Sequence, residues 1–122
     1  MTAERRAATE TYKDGTRMAE GETVDGRKNG EWKYFYRNGQ LKAVGTLVDD
    51  RFTGPWTWWR ENGNLLQQGD FVDGVQEGLW RRYHPNGTLM DEGRWSAGVR
   101  VGEWTYFDPA GSVTRTKHYR SA

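Results

Sequence analysis

Tryptophan recurs at a fixed interval. Trp32, Trp56, Trp80 and Trp104 stand 24 residues apart, and each brings the same frame of glycines and turn residues with it. A repeat of that length marks like supersecondary units stacked in a row, each supported by its neighbours. The pattern predicts a quasi-linear domain rather than a globule around one deep core.

The frame reads Gly30, Trp32, Asn38, Gly39, Leu41 and Gly45 in the first full unit, then Gly54, Trp56, Asn62, Gly63, Leu65 and Gly69 in the second. Gly78, Trp80, Asn86, Gly87, Leu89 and Gly93 form the third, and Gly102, Trp104, Ala110, Gly111 and Val113 the fourth. Three residues after each Trp comes a second aromatic (Phe35, Trp59, Tyr83, Phe107), and fifteen after it an apolar side chain (Leu47, Phe71, Trp95, Tyr119). Tyr12, Gly15, Gly21 and Gly26 fit the second half of the same frame without a Trp. The expected organisation is a flexible tail over 1–9, with at most a frayed helical turn in it, followed by a repeat domain over 10–120. That domain comprises a half unit (10–29) and units 30–53, 54–77, 78–101 and 102–120, the last degraded.

Within each unit a short aromatic run, a turn and a second extended run describe a β-hairpin. Pro85 and Pro109 precede the turn pair in two units, and Ala110 suits a left-handed conformation poorly. A three-residue loop with a type I turn and a glycine bulge fits better than a two-residue turn. Counting back from such loops, Phe35 faces Leu41, Trp32 faces Val44, Tyr83 faces Leu89 and Trp80 faces Glu92. Alternation then places Phe35, Leu41 and Leu47 on one face and Trp32, Tyr34 and Tyr36 on the other. Gly45, Gly69 and Gly93 either admit a ring or a neighbouring backbone, or mark a bulge. The expected fold is all-β: an elongated single-layer antiparallel sheet of stacked hairpins with a 24-residue period.

Composition narrows the function. Only 34% of the residues are hydrophobic, yet seven Trp, six Tyr and four Phe argue for an ordered chain, because disordered chains are poor in large aromatics. The net charge is +1 and neither half is strongly basic, which disfavours nucleic acid or anionic lipid as the main partner. Arg81, Arg82, Arg94 and Arg100 are the nearest approach to a basic cluster. Without cysteine there is no disulfide framework, and no apolar run suits membrane insertion or a secretory leader, so a cytoplasmic protein is expected.

These repeat residues resemble the variant MORN repeat found in bacterial proteins grouped as YwqK-family antitoxins. The resemblance covers roughly residues 10–120. It implies a single-layer sheet of hairpins, a non-enzymatic interaction role and, in some members, neutralisation of a cognate toxin. The fourth unit departs from the pattern, with Lys117 in place of the recurring glycine and Ala110 in place of the turn Asn, as terminal units of arrays do.

No catalytic constellation is legible. His84 and His118 lack metal or triad spacing, and the paired Asp residues fall in linker turns without a calcium-loop motif, so neither an enzyme nor a cofactor or metal is expected. Recognition should use positions where units differ. Two residues after each Trp stand Tyr34, Trp58, Arg82 and Tyr106, and four after it stand Tyr36, Arg60, His84 and Asp108. Tyr34, Tyr36, Trp58, Arg60, Arg82, His84 and Tyr106 are therefore the expected partner-binding residues, being rich in the types favoured at interface hot spots. A protein partner such as a toxin is expected. The alternatives are a self-assembling homo-oligomeric scaffold and, further off, a lipid-associated module.

Overall fold

Two kinds of turn fold the chain back and forth. In the first, Gly39 takes φ +87°, the Tyr36 N–H donates to the Gln40 carbonyl at 2.9 Å, and the Asn38 side-chain oxygen accepts from the Gln40 N–H at 2.9 Å. This is the expected type I loop with its glycine bulge, and the Asn is retained for its acceptor rather than for a left-handed backbone. The second kind joins the units. Asp25 and Gly26, Asp73 and Gly74, and Ala97 and Gly98 occupy paired left-handed conformations, as a two-residue hairpin turn of the primed type requires. Asp50 stands where its equivalents are glycine, at φ +67°. Its carboxylate accepts from the Lys28 N–H at 2.8 Å, which helps to offset the backbone strain.

The computed structural model describes residues 4–120, in which eleven strands form one open antiparallel sheet whose order follows the chain. The strands are β1 (Arg5–Thr11), β2 (Arg17–Val24), β3 (Arg27–Lys28), β4 (Gly30–Phe35), β5 (Leu41–Val48), β6 (Arg51–Trp59), β7 (Leu65–Val72), β8 (Val75–Tyr83), β9 (Leu89–Ser96), β10 (Val99–Phe107) and β11 (Val113–Tyr119). Short β3 pairs with β2 and corresponds to the first residues of β6, detached from β4 at Asn29.

The register differs from expectation by one residue beyond each loop. Phe35 pairs with Leu41 and Tyr83 with Leu89 as expected, but Trp32 faces Gly45 instead of Val44 and Trp80 faces Gly93 instead of Glu92. One residue on each returning strand, Lys42 or Met90, is left without a partner. Such a bulge moves everything after it to the other face. Leu47 accordingly packs with Trp32, Ala19, Ala43 and Trp56 rather than beside Phe35.

The recurring glycines exist for the indoles. On the first three residues of each unit the strand swings out, with Gly54, Gly78 and Gly102 at φ +67° to +72°, so that Gly45 stands opposite three residues, Gly54 to Trp56. The indole folds back onto the preceding strand. A Cβ on Gly45 would fall inside the Trp56 ring, and Gly21, Gly69 and Gly93 stand in the same relation to Trp32, Trp80 and Trp104. Each buried indole N–H then donates to the carbonyl just after that glycine: Trp32 to Glu22 (2.9 Å), Trp56 to Thr46 (3.0 Å), Trp80 to Asp70 (3.0 Å) and Trp104 to Arg94 (3.2 Å). All four Trp are at most 3% exposed, so a one-layer sheet obtains a core by laying its largest rings flat along itself.

The amino-terminal segment is corrected as well. Arg5–Thr11 is strand β1, paired with β2 across Ala8 and Gly21 as Trp32 is across Gly45, so residues 5–9 of the supposed tail enter the sheet as part of a full hairpin. Ala8 occupies the tryptophan position. Among the described residues no strand lies outside β1, so there is no glycine for an indole to cover. Lys117 mirrors it on β11: it pairs with Trp104 at the glycine position, and among the described residues no further indole lies over it. Residues 2–3 of the suggested helical turn lie outside the described residues.

Candidate functional site: the indole face

One face of the sheet is an aromatic ladder. Tyr34 lies 6.3 Å from Trp32 and 6.2 Å from Trp56, and Trp58 lies 5.7 Å from Trp56 and 5.8 Å from Trp80. Phe52 and Phe71 fill the other side of the row at 4.4 Å from Trp56 and 5.1 Å from Trp80. Alternation along β4 and β6 sends Tyr34 and Trp58 to the side of their frame Trp, as the sequence predicts. Both remain half-buried and present ring surface to solvent.

The ladder breaks at the third unit, where Arg82 takes the place of Tyr34 and Trp58. Cross-strand positions supply its partner: Ala43 faces Tyr34, Gln67 faces Trp58, and Asp91 faces Arg82. The Arg82 Nε donates to the two Asp91 carboxylate oxygens at 3.2 and 3.0 Å, and Nη2 joins the pair. Asp91 is 1% exposed, the one buried charged side chain among the described residues, while Arg82 keeps nearly half of its side chain in water. Hydrogen bonding to that carboxylate holds the Arg82 guanidinium above its ordinary range against the opposing effect of burial.

Beyond the break the face turns cationic. Arg100 lies 4.6 Å over the Trp104 ring and 5.4 Å over Trp95, and its Nη1 reaches the hydroxyls of Tyr106 and Tyr119 at 3.4 and 3.3 Å. Arg115 sits 4.4 Å over Tyr106 and Lys117 4.9 Å over Tyr119. The Tyr119 hydroxyl, bonded by Tyr106 and by Arg100, is brought down to about 8 from the usual 10.0 of a phenol. Tyr106 moves the other way, raised chiefly by its hydrogen bond to Tyr119 and then by burial. Between Trp80 and Trp104 lies a cleft of about 210 Å³, lined by Gln67, Gln76, Arg82, Asp91, Trp95 and Arg100 besides those two rings.

The remaining expected site residues belong to the joints between units. The Tyr36 hydroxyl donates to the Trp59 carbonyl (2.7 Å), Arg60 Nη2 to the Tyr83 carbonyl (3.1 Å), and His84 Nε2 bonds the Phe107 carbonyl (2.8 Å). Tyr12 does the same toward Phe35 at 2.6 Å. Four side chains of three kinds thus perform one task, tying each hairpin end to the next. Burial at this joint raises the Tyr36 pKa. Tyr34, Trp58, Arg82 and Tyr106 come together on the indole face, whereas Tyr36, Arg60 and His84 line up along its hairpin edge. Asp108, at the same position of the last unit, turns its carboxylate onto its own loop, accepting from the Ala110 and Ser112 N–H groups at 3.0 Å.

The MORN repeat variant matches at residues 28–49, 52–73, 76–96 and 100–121, most of the chain. The chain belongs to the MORN repeat variant family. A comparison with curated proteins found no match. The four family matches contain the hairpins β4–β5, β6–β7, β8–β9 and β10–β11, so the first hairpin of this MORN array, with Ala8 for Trp, lies outside them.

Sequence reasoning missed Asp91, Gln67, Gln76 and Arg115. All sit on the indole face at positions where a single residue type does not recur, and the bulge hid their side. The usable signal was the series Ala43, Gln67, Asp91, Arg115 at constant spacing, which changes from apolar to charged where the aromatic row changes to Arg82.

Proposed function

We propose that the indole face is the recognition surface of a non-enzymatic protein-binding module, and that this module neutralises a partner protein in the manner of a cytoplasmic antitoxin or immunity protein. The observation that carries this reading is a row of half-exposed Tyr34, Trp58 and Tyr106, interrupted by Arg82 and followed by Arg100, set on a frame of buried indoles. Aromatic and arginine side chains held in place by neighbours lose little entropy on binding, which is what a hot spot needs. The opposite face offers less, since its groove beside Leu79 is flanked by Arg81 already paired with Glu92 at 2.9 Å.

The test is growth rescue from the product of an adjacent gene, together with calorimetry on the two purified proteins. Wild type should rescue and bind. Tyr34→Gln and Trp58→Gln should lose both while the fold survives. Rescue and binding untouched by these changes, or absent in wild type, would remove the reading.

A self-assembling scaffold is the second reading, favoured by the outer edges of β1 and β11, which have no strand beyond them among the described residues. Light scattering at high concentration decides it, a strict monomer counting against assembly. Arg5 and Arg6 on one edge and Arg115 and Lys117 on the other are charges of the kind that blunt edge pairing.

A further inference from the structure

We infer that the cleft between Trp80 and Trp104 receives an acidic side chain, Asp or Glu, from a segment of the partner protein, with Arg100 as its counter-ion. The inference rests on the reading of the indole face as a protein-binding surface and adds the chemistry of what binds.

Charge is the first support. On the carboxy-terminal half of this face, cross-strand register gathers Arg82, Arg100, Arg115 and Lys117 on the side of Trp104 and Tyr106. Asp91 is the single carboxylate among them, and Arg82 already holds it. Arg100 has no carboxylate within ion-pair distance among the described residues, only two phenol hydroxyls and three rings. The equivalent cation of the first unit is different: Lys28, over Trp32 at 4.6 Å, is met by Glu10 at 3.3 Å. Its counterpart in the fourth unit thus keeps the ring platform but lacks the acid.

Shape and neighbours are the second support. A cleft of about 210 Å³ suits one carboxylate side chain rather than a folded element. Gln67 and Gln76 add amide donors on its near side, and the Trp95 and Trp104 rings hold the guanidinium so that its planar fork can meet a carboxylate edge-on. Phosphate-rich ligands fit less well. The whole chain carries only +1, far from the excess a polyanion binder uses. North of the cleft, Phe52, Trp58 and Phe71 continue as apolar surface, so the segment should carry an aliphatic or aromatic residue a short distance from its acid.

Random short peptides displayed on phage and selected against the intact protein test this directly. Peptides enriched in Asp or Glu next to large apolar residues are expected from wild type. A synthetic copy with its acid changed to the amide should bind about tenfold more weakly, the loss of one charge-assisted bond. The Arg100→Gln protein should lose the same factor with the acidic peptide and nothing with the amide, while Arg100→Lys loses less. Selected peptides without acidic enrichment, or with equal affinity for acid and amide forms, would overturn the inference and leave the face a binding surface of another specificity. No selection of any peptide on the face would remove both readings. Vesicles of phosphatidylglycerol or heparin retained through Arg100 more tightly than any peptide would overturn it in favour of a phosphate or sulfate ligand.

Discussion

At the scale of single residues, glycine does two unrelated jobs in this protein, and substitution separates them. Gly63 sits at φ +91° with open space around it, so Gly63→Ala should cost only the left-handed conformation, about 1–2 kcal/mol. Gly69 has ordinary dihedrals, but its Cβ would intrude on the Trp80 ring, which is itself pinned by the Asp70 carbonyl. Gly69→Ala should therefore cost more, about 3 kcal/mol or beyond. Urea denaturation of the two variants checks the order, and equal costs would contradict the ring-over-glycine packing. The turn glycines were legible from Asn–Gly and Pro–Asn–Gly alone. The role of Gly69 was not, because sequence spacing alone left a close approach and a bulge equally open. Arg60 carries the same lesson. It looked free for recognition, yet its Nη2 bonds the Tyr83 carbonyl at the joint between two hairpins, so Arg60→Ala should lower stability rather than leave it unchanged.

Residue chemistry also sets a pH response. The folded state favours the Tyr119 phenolate, so this group's stabilisation is present above the unfolded value of 10.0 and is lost as pH falls through about 8. Tyr106 acts oppositely: its contribution is present below 10.0 and is lost as pH rises through its raised folded value. Ultraviolet absorbance should reveal one tyrosine ionising near pH 8, and Arg100→Gln should move that step upward. A protein in which every tyrosine ionises near the free value would contradict the Arg100–Tyr119–Tyr106 arrangement.

At the scale of elements, the hairpin β8–β9 is the exception that explains the others. Its Arg82–Asp91 pair holds a buried carboxylate where the first full unit has Tyr34 against Ala43. The double change Arg82→Tyr with Asp91→Ala copies that unit and should leave stability unchanged or raise it by about 1 kcal/mol, whereas Arg82→Ala alone strands the carboxylate and should lower stability. Thermal melts of the three proteins decide, and a double variant less stable than the single one would show that the pair does more than satisfy itself. Hairpin existence, turn type and the first cross-strand pair were all readable, since they depend on residues next to the turn. The register beyond was not. The bulged residues are Met18, Lys42, Leu66, Met90 and Thr114, which share neither size nor polarity, so no side-chain signal marks a feature made by backbone geometry.

At the scale of the whole molecule, strands touch chiefly the strands next to them in sequence, and stability should behave as a sum of units and junctions. Deleting residues 54–77 joins Thr53 to Gly78 and brings Trp80 over Gly45 in place of Trp56. The shortened chain should fold and melt cooperatively at a lower temperature, as followed by circular dichroism. Removing only 54–65 puts indoles and glycines out of step and should abolish the transition. A shortened chain of intact frame that fails to fold would mean that the units are not interchangeable.

Ala8 and Lys117 give that modularity a direction. A duplicated block spliced between existing units finds a recess waiting for its ring and presents one to its successor. Fused after Tyr119, the same block would bring its ring against the aliphatic stem of a lysine. Growth by duplication is thus unopposed in the interior and blocked at the rim, and a single exchange, Lys117→Gly, would turn the blocked rim into a place where the protein can be lengthened.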